Sequence, residues 1–212
     1  LLAINTMASA LAVLKTPGEW GADIACGDAQ SLGIPMNYGG PYIGQLCTTN
    51  ALVRKMPGRL VGQTVDADGK RCFVLTMQAR EQHIRREKAT SNICTAQGIM
   101  CLYVTCYLSL MGAQGLRQVN EMSYTNALIL HKKLLDTGLF REVFPGKPFL
   151  CEFTLQWCGT PKQLKELHFS VGRGRNVAGC IVDKEQNLVS FACTEKHTLD
   201  EIDALIFLIK EE

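Results

Sequence analysis

Two stretches of this 212-residue chain hold residues that could do chemistry. The first is Gly27-Asp28-Ala29-Gln30-Ser31-Leu32-Gly33-Ile34-Pro35-Met36-Asn37-Tyr38-Gly39-Gly40-Pro41, a polar, glycine-rich loop between two apolar runs. Glycines at 33, 39 and 40 permit positive-φ turns and a close approach of backbone to a ligand. The second is Arg80-Glu81-Gln82-His83-Ile84-Arg85-Arg86-Glu87-Lys88-Ala89-Thr90-Ser91-Asn92. Its plain reading is a solvated charged helix whose trailing Thr, Ser and Asn cap the apolar helix behind them. His83 could act there as a general base, although Arg and Glu neighbours also suit a surface or interface residue. Further on, Gly172-Arg173-Gly174-Arg175 fits either a carboxylate or phosphate contact or a plain turn. No aromatic residues interleave with those arginines as nucleic-acid recognition would require.

No metal site is readable. His131, His168 and His197 are scattered, and none of the ten cysteines forms a Cys-x-x-Cys pair or sits beside a His at ligand spacing. Cys94 and Cys101 fall in a helical pattern, and Cys26, Cys47, Cys151, Cys180 and Cys193 in strand-like runs. The expectation is reduced, buried, structural thiols in a cytoplasmic setting. With 47% apolar and 20% charged residues and a net charge of +2, the composition is globular. It gives no reason to expect nucleic acid or an anionic membrane as partner. The longest apolar run, Ile99 to Met111, is interrupted by Thr105 and Ser109 and reads as too short to span a bilayer.

The elements that must position these residues follow from periodicity and punctuation. The pattern predicts a helix from Ala8 to Lys15, stopped by Pro17-Gly18. Strands are expected over Ala22–Cys26 and Tyr42–Thr48, with a turn of helix over Asn50–Lys55. Leu60–Val65 and Arg71–Leu75 should pair as a hairpin across Asp66-Ala67-Asp68-Gly69. Gln78–Arg86 reads as one amphipathic helix, and Asn92–Leu110 as the best-buried helix of the chain. Gly112 and Gly115 should separate it from a second long helix, Leu116–Leu135, ended by Gly138. Beyond it come a strand over Phe149–Leu155 and a helix from Thr160-Pro161-Lys162-Gln163 to about His168. A hairpin of Ala178–Asp183 with Leu188–Cys193 and a final helix after Thr198-Leu199-Asp200-Glu201 complete a small α+β layer. Two domains are expected, 1–115 and 116–212. The chain opens at Leu1 without an initiator Met, which suggests that it starts inside a domain.

Taken together, the loop from Gly27 to Pro41, Met56-Pro57-Gly58-Arg59 and the run from Gln78 to Asn92 resemble the glycine cleavage system P-protein family. These are pyridoxal-phosphate (PLP) glycine decarboxylases, and the likeness is to the first (A or α) subunit of the split form. The resemblance implies an α/β fold, a fragment of a fold-type I PLP-dependent transferase: the end of the large mixed domain plus the small α+β domain. In the sister half of that family the loop carries a Lys that forms the Schiff base with PLP. Here Ala29-Gln30-Ser31 stands in its place, and a Gln amide cannot form an imine. The carboxylate that pairs with the PLP pyridinium lies well upstream of that Lys, yet Leu1 to Gly18 contains no acidic residue. The resemblance therefore implies a pseudo-active half with no catalytic residue of its own, working in a hetero-oligomer with a PLP-bearing second subunit. That complex would decarboxylate glycine and pass the aminomethyl group to lipoylated H-protein. Ala89-Thr90-Ser91-Asn92 is similar to the Gly-Thr-x-Asn element of fold-type I enzymes, whose Thr reaches a neighbour's cofactor phosphate. Free N–H groups at a helix start would make such an anion site. Thr90, Asn92 and Arg86 are the contacts it implies to the partner's PLP. Two rival readings remain: a non-enzymatic interaction protein, and an independent phosphate- or nucleotide-binding module built on the glycine loop.

Overall fold

A computed structural model describes residues 1–37, 39–90, 96–160, 162–164 and 179–211. The chain divides into two units, Leu1–Leu110 and Met111–Glu212.

In the first unit β1 (Ala3–Asn5), β2 (Ile24–Asp28) and β3 (Gly44–Thr48) form a sheet in that order. β1 runs parallel to β2, with Ala3 opposite Ile24, and β3 returns antiparallel, with Asp28 opposite Gly44. The backbones crowd at Gly27, where a Cβ would lie 1.9 Å from the Thr6 carbonyl oxygen. The helix expected over Ala8–Lys15 is a shorter 3-10 turn, Ala8–Ala12. The predicted hairpin is present as β4 (Leu60–Val65) and β5 (Arg71–Thr76), paired Val65 to Arg71. Asp66 organises its turn: Oδ1 accepts from Asp68 N–H and Lys70 N–H, both at 2.9 Å.

Two expectations fail in this unit. Gln78–Arg86 is not one helix but a 3-10 turn (Gln78–Arg80), a four-residue helix α1 (Gln82–Arg85) and a second 3-10 turn (Arg86–Lys88). Met77 at φ 53 and Arg86 at φ 52 break the helical path. The long apolar helix α2 spans Gly98–Asp136. Its first half is not the best-buried helix. Ile99, Leu102, Tyr103 and Leu110 are exposed, and only Met100 and Val104 join Ile34 in a small core with Leu32, Tyr42 and Ile43. An all-round apolar pattern records what a helix would bury, not what this length of chain supplies. By length and composition alone the span Gly98–Asp136 is long and apolar enough to cross a membrane, whereas the apolar run Ile99–Met111 within it stays short. Gly112 leaves the helical region at φ 61, ψ −178, whereas Gly115 sits within the helix and does not break it.

The second unit holds the main core. β6 (Phe140–Glu142), β7 (Glu152–Trp157), β8 (Cys180–Asp183) and β9 (Leu188–Ala192) form an antiparallel sheet in the order β6-β7-β9-β8. Phe153, Leu155 and Trp157 of β7 and Val189 and Phe191 of β9 alternate onto one face. Ala127, Leu130 and Leu134 of α2 and Ile202, Leu205 and Ile209 of α3 (Leu199–Glu211) pack there. Both predicted capping boxes are formed. Gln163 Oε1 accepts from Thr160 N–H and Oγ1–H, each at 2.9 Å, while Glu201 Oε2 accepts from Thr198 N–H at 2.8 Å. The continuation expected for the first of these helices to His168, and Arg173-Gly174-Arg175, lie outside the described residues. The thiols expected to be buried are mostly not: among the described cysteines only Cys193 is buried, and Cys47, Cys101, Cys106, Cys158 and Cys180 are exposed.

Candidate functional site

The glycine loop leaves β2 through a tight turn. Asp28 Oδ1 accepts the Gln30 N–H at 2.7 Å, and Ala29, buried, donates its N–H to the Ile43 carbonyl at 3.0 Å. Ile34 N–H returns to the Gln30 carbonyl at 3.0 Å, so the half-buried Gln30 begins a short turn at the head of the loop. Gly33, Gly39 and Gly40 do take positive φ. The close approach at Gly33 is to the Tyr107 ring of α2 rather than to open space.

The charged run forms a compact loop. Its ends meet where Thr90 N–H donates to the Arg80 carbonyl at 3.4 Å. Within it, Ile84 and Arg85 N–H groups donate to the Glu81 carbonyl and Ala89 N–H to the Arg86 carbonyl. Arg86 and Thr90 lie on this one loop, both exposed. Asn92 lies outside the described residues. Thr90 N–H is already bonded and the described part of α2 begins at Gly98, while residues 91–95, whose N–H groups the anion-site reading also uses, lie outside the described residues. Thr90 and Arg86 offer a hydroxyl and a guanidinium, group types able to donate to a phosphate such as that of PLP. Gln30 does not suit its aldehyde end. The fit is to half of the group.

His83 is exposed, with Nδ1 3.6 Å from Glu81 Oε2, and lines an open depression of about 630 Å³ with Gln82, Arg86 and Glu87. Nothing in the local pattern marks Arg80, which is buried at the head of a run that reads as solvated. Nη1 donates to the Met56 carbonyl and Nη2 to the Gly58 carbonyl at 2.6 Å. Its Nε and Glu81 Oε1 are buried without a partner.

A second cavity, of about 260 Å³, lies in the small unit beside His131, Glu142, Lys147, Phe149 and Phe153. Burial lowers the pKa of His131 below its ordinary value, outweighing the Glu142 carboxylate 3.6 Å away. Its ring packs 5.0 Å from those of Phe149 and Phe153, at the edge of the small unit's core.

Residues 1–209 match the profile of the "Glycine cleavage system P-protein" family. A relative in Thermomicrobium roseum, "Probable glycine dehydrogenase (decarboxylating) subunit 1", is 44% identical over 99% of this chain and 47% of its own length. The chain thus spans about half the length of the curated relatives it matches. The crystal structure of an inhibitor-bound glycine decarboxylase (P-protein) superposes with a TM-score of 0.90 at 44% identity, over 100% of this chain and 48% of that one. A NifS-like protein from Rickettsia africae, 12% identical, shares the fold at a TM-score of 0.65 over 99% of this chain and 52% of its own. The fold is that of the fold-type I PLP-dependent transferases, of which this chain carries a part.

Proposed function

Since the chain belongs to the glycine cleavage system P-protein family, we propose that it is the non-anchoring half of a glycine decarboxylase, active only with a subunit that bears the PLP lysine. The observation that carries this reading is Gln30, an amide at the head of the turn after β2, within a fold otherwise matched to glycine decarboxylase along its whole length. Bound PLP would supply the electron sink for losing the glycine carboxylate. This chain's residues would bind and position. Thr90 donates its hydroxyl and Arg86 its guanidinium toward the partner's cofactor phosphate, and Asn92 is assigned to the same contact. The aminomethyl product passes to lipoylated H-protein.

Exposed apolar surface supports a partner that covers it. Val61, Val65, Phe73 and Leu75 share one face of the β4–β5 hairpin, and Ile99, Leu102 and Leu110 protrude from α2. Free cysteines throughout the described residues support a reducing, cytoplasmic setting.

Co-expression of the intact subunit with a Lys-bearing partner tests the proposal. A stable complex with glycine-dependent activity, and borohydride-trapped PLP on the partner's lysine alone, is the expected result. No complex would favour a non-enzymatic interaction protein. PLP or phosphate held by this subunit alone would favour an independent binding module.

A further inference from the structure

We infer that Arg80 is the positioning residue of the loop that carries Arg86 and Thr90, rooting that loop on the Met56–Gly58 turn. Burying an arginine is costly unless its charge is met, and Arg80 has no carboxylate partner among the described residues. Its charge is met by two carbonyls instead. Nη1 takes that of Met56 and Nη2 that of Gly58, across 24 and 22 residues of chain. A planar fork can hold two acceptors at fixed spacing; an ammonium cannot. Because Nε has no partner, all the hydrogen bonding of the guanidinium goes to this one turn.

The accepting turn has reason to need a clamp. Pro57 has no N–H to offer a ladder, and Gly58 turns the chain at φ 76. The loop has reason to need one too. Arg86 is held at φ 52, ψ −122, a conformation unfavourable for a residue with a Cβ, and such residues persist only where the surroundings over-determine the chain. Arg80 does both jobs through one residue. Its side chain fixes the base of the loop to residues 56 and 58, and its carbonyl receives Thr90 N–H, closing the loop. Arg80 touches no reacting group on this reading; it sets where Thr90 and Arg86 stand. The inference rests on the proposed role of Thr90 at the cofactor phosphate.

The test uses the intact subunit assembled with its Lys-bearing partner. Arg80→Lys keeps a charge on a similar stem and loses the fork. Two quantities are read: the rate of tryptic nicking after Arg85, Arg86 and Lys88 in the folded complex, and the PLP dissociation constant, alone and combined with Thr90→Val. Positioning predicts faster nicking and a PLP affinity weakened by about tenfold, the scale of one hydrogen bond to a charged group. It also predicts that the two losses do not multiply in the double variant, because part of the first change acts through Thr90 and only the share carried by Arg86 remains. Unchanged nicking overturns the inference, and so do losses that multiply in the double variant. Faster nicking with PLP affinity unmoved by either change supports the clamp and sinks the cofactor role of Thr90, so the two failures are distinguishable. Should Arg80→Lys fail to assemble, Gly58→Ala distorts the accepting turn from the other side. Nothing lies within 4 Å of its added Cβ, and it carries the same expectations in both assays.

Discussion

Gly33 stands against the ring of Tyr107, so close that an added Cβ would lie 2.4 Å from Cδ2 and 2.6 Å from Cγ. The contact fastens the glycine loop to helix α2 and explains the residue by packing. Gly39, at φ 130 with nothing within 4 Å of its Cβ position, has only its backbone to explain it. Gly33→Ala adds a clash to a positive-φ strain and should destabilise the intact subunit by about 2–4 kcal/mol. Gly39→Ala should cost less. Denaturant unfolding of both variants checks this, and equal losses would remove the Tyr107 contact from the account.

The second prediction concerns the start of α3. Glu201 Oε2 accepts from Thr198 N–H and Oγ1–H, and Glu201 N–H donates to Thr198 Oγ1 at 3.2 Å. Thr198→Ala should lower stability by about 1 kcal/mol, with Thr198→Ser near the parent. The same bonds, the backbone one first, hold the Glu201 carboxyl below its ordinary pKa. Their stabilisation is therefore complete above the ordinary carboxylate range and fades as pH falls through the lowered value. Thr198→Ala should be least different from the parent in acid.

Cys193 sets a third expectation at the other end of the scale. Its N–H donates to the Cys151 carbonyl at 2.9 Å, and burial first, then the Cys151 thiol, push its pKa up from 9.0 to about 11. The folded state resists its ionisation while the unfolded state does not. Stability from this group is whole below pH 9 and declines toward pH 11, with a slope of at most about 1.4 kcal/mol per pH unit. At pH near 8, iodoacetamide should label exposed Cys158 and Cys180 well before Cys193. Early labelling of Cys193 in the native protein would mean that its strand opens readily.

Gln30 gives the fourth. With an amide at the turn head, PLP and borohydride should leave no adduct on this loop. Gln30→Lys alone should restore no activity, because no acidic residue lies between Leu1 and Gly18 to meet the pyridinium. A stoichiometric, competent adduct on the variant chain would contradict the non-anchoring role.

Where local chemistry decides, the sequence was a sufficient guide. The hairpin across Asp66 to Gly69 and the boxes at Thr160 and Thr198 are self-contained motifs, satisfied within a few residues, and all three formed. β6 was missed because Phe140–Glu142 is three residues long and owes its pairing to Trp157, a distant partner that no local pattern announces. The loop at 80–90 was misread for a related reason. A run of charges looks solvated from end to end, and only the carbonyls of Met56 and Gly58 reveal that one of its arginines is inside. Burial of α2 was overestimated because apolar content reports a demand that the described residues leave unmet.

Gly112 has a consequence for how the protein breathes. With φ 61 and ψ −178 in mid-helix, the regular amide bonding of α2 is interrupted there, and unwinding on one side need not propagate to the other. Amides near Ala127, Leu130 and Leu134 are tied to the main core and should exchange with solvent deuterium only when that core opens. Those between Cys101 and Leu110, on an exposed stretch, should exchange by local fraying. The two helical segments that meet at Gly112 would then show two protection plateaus, stepping at a single glycine.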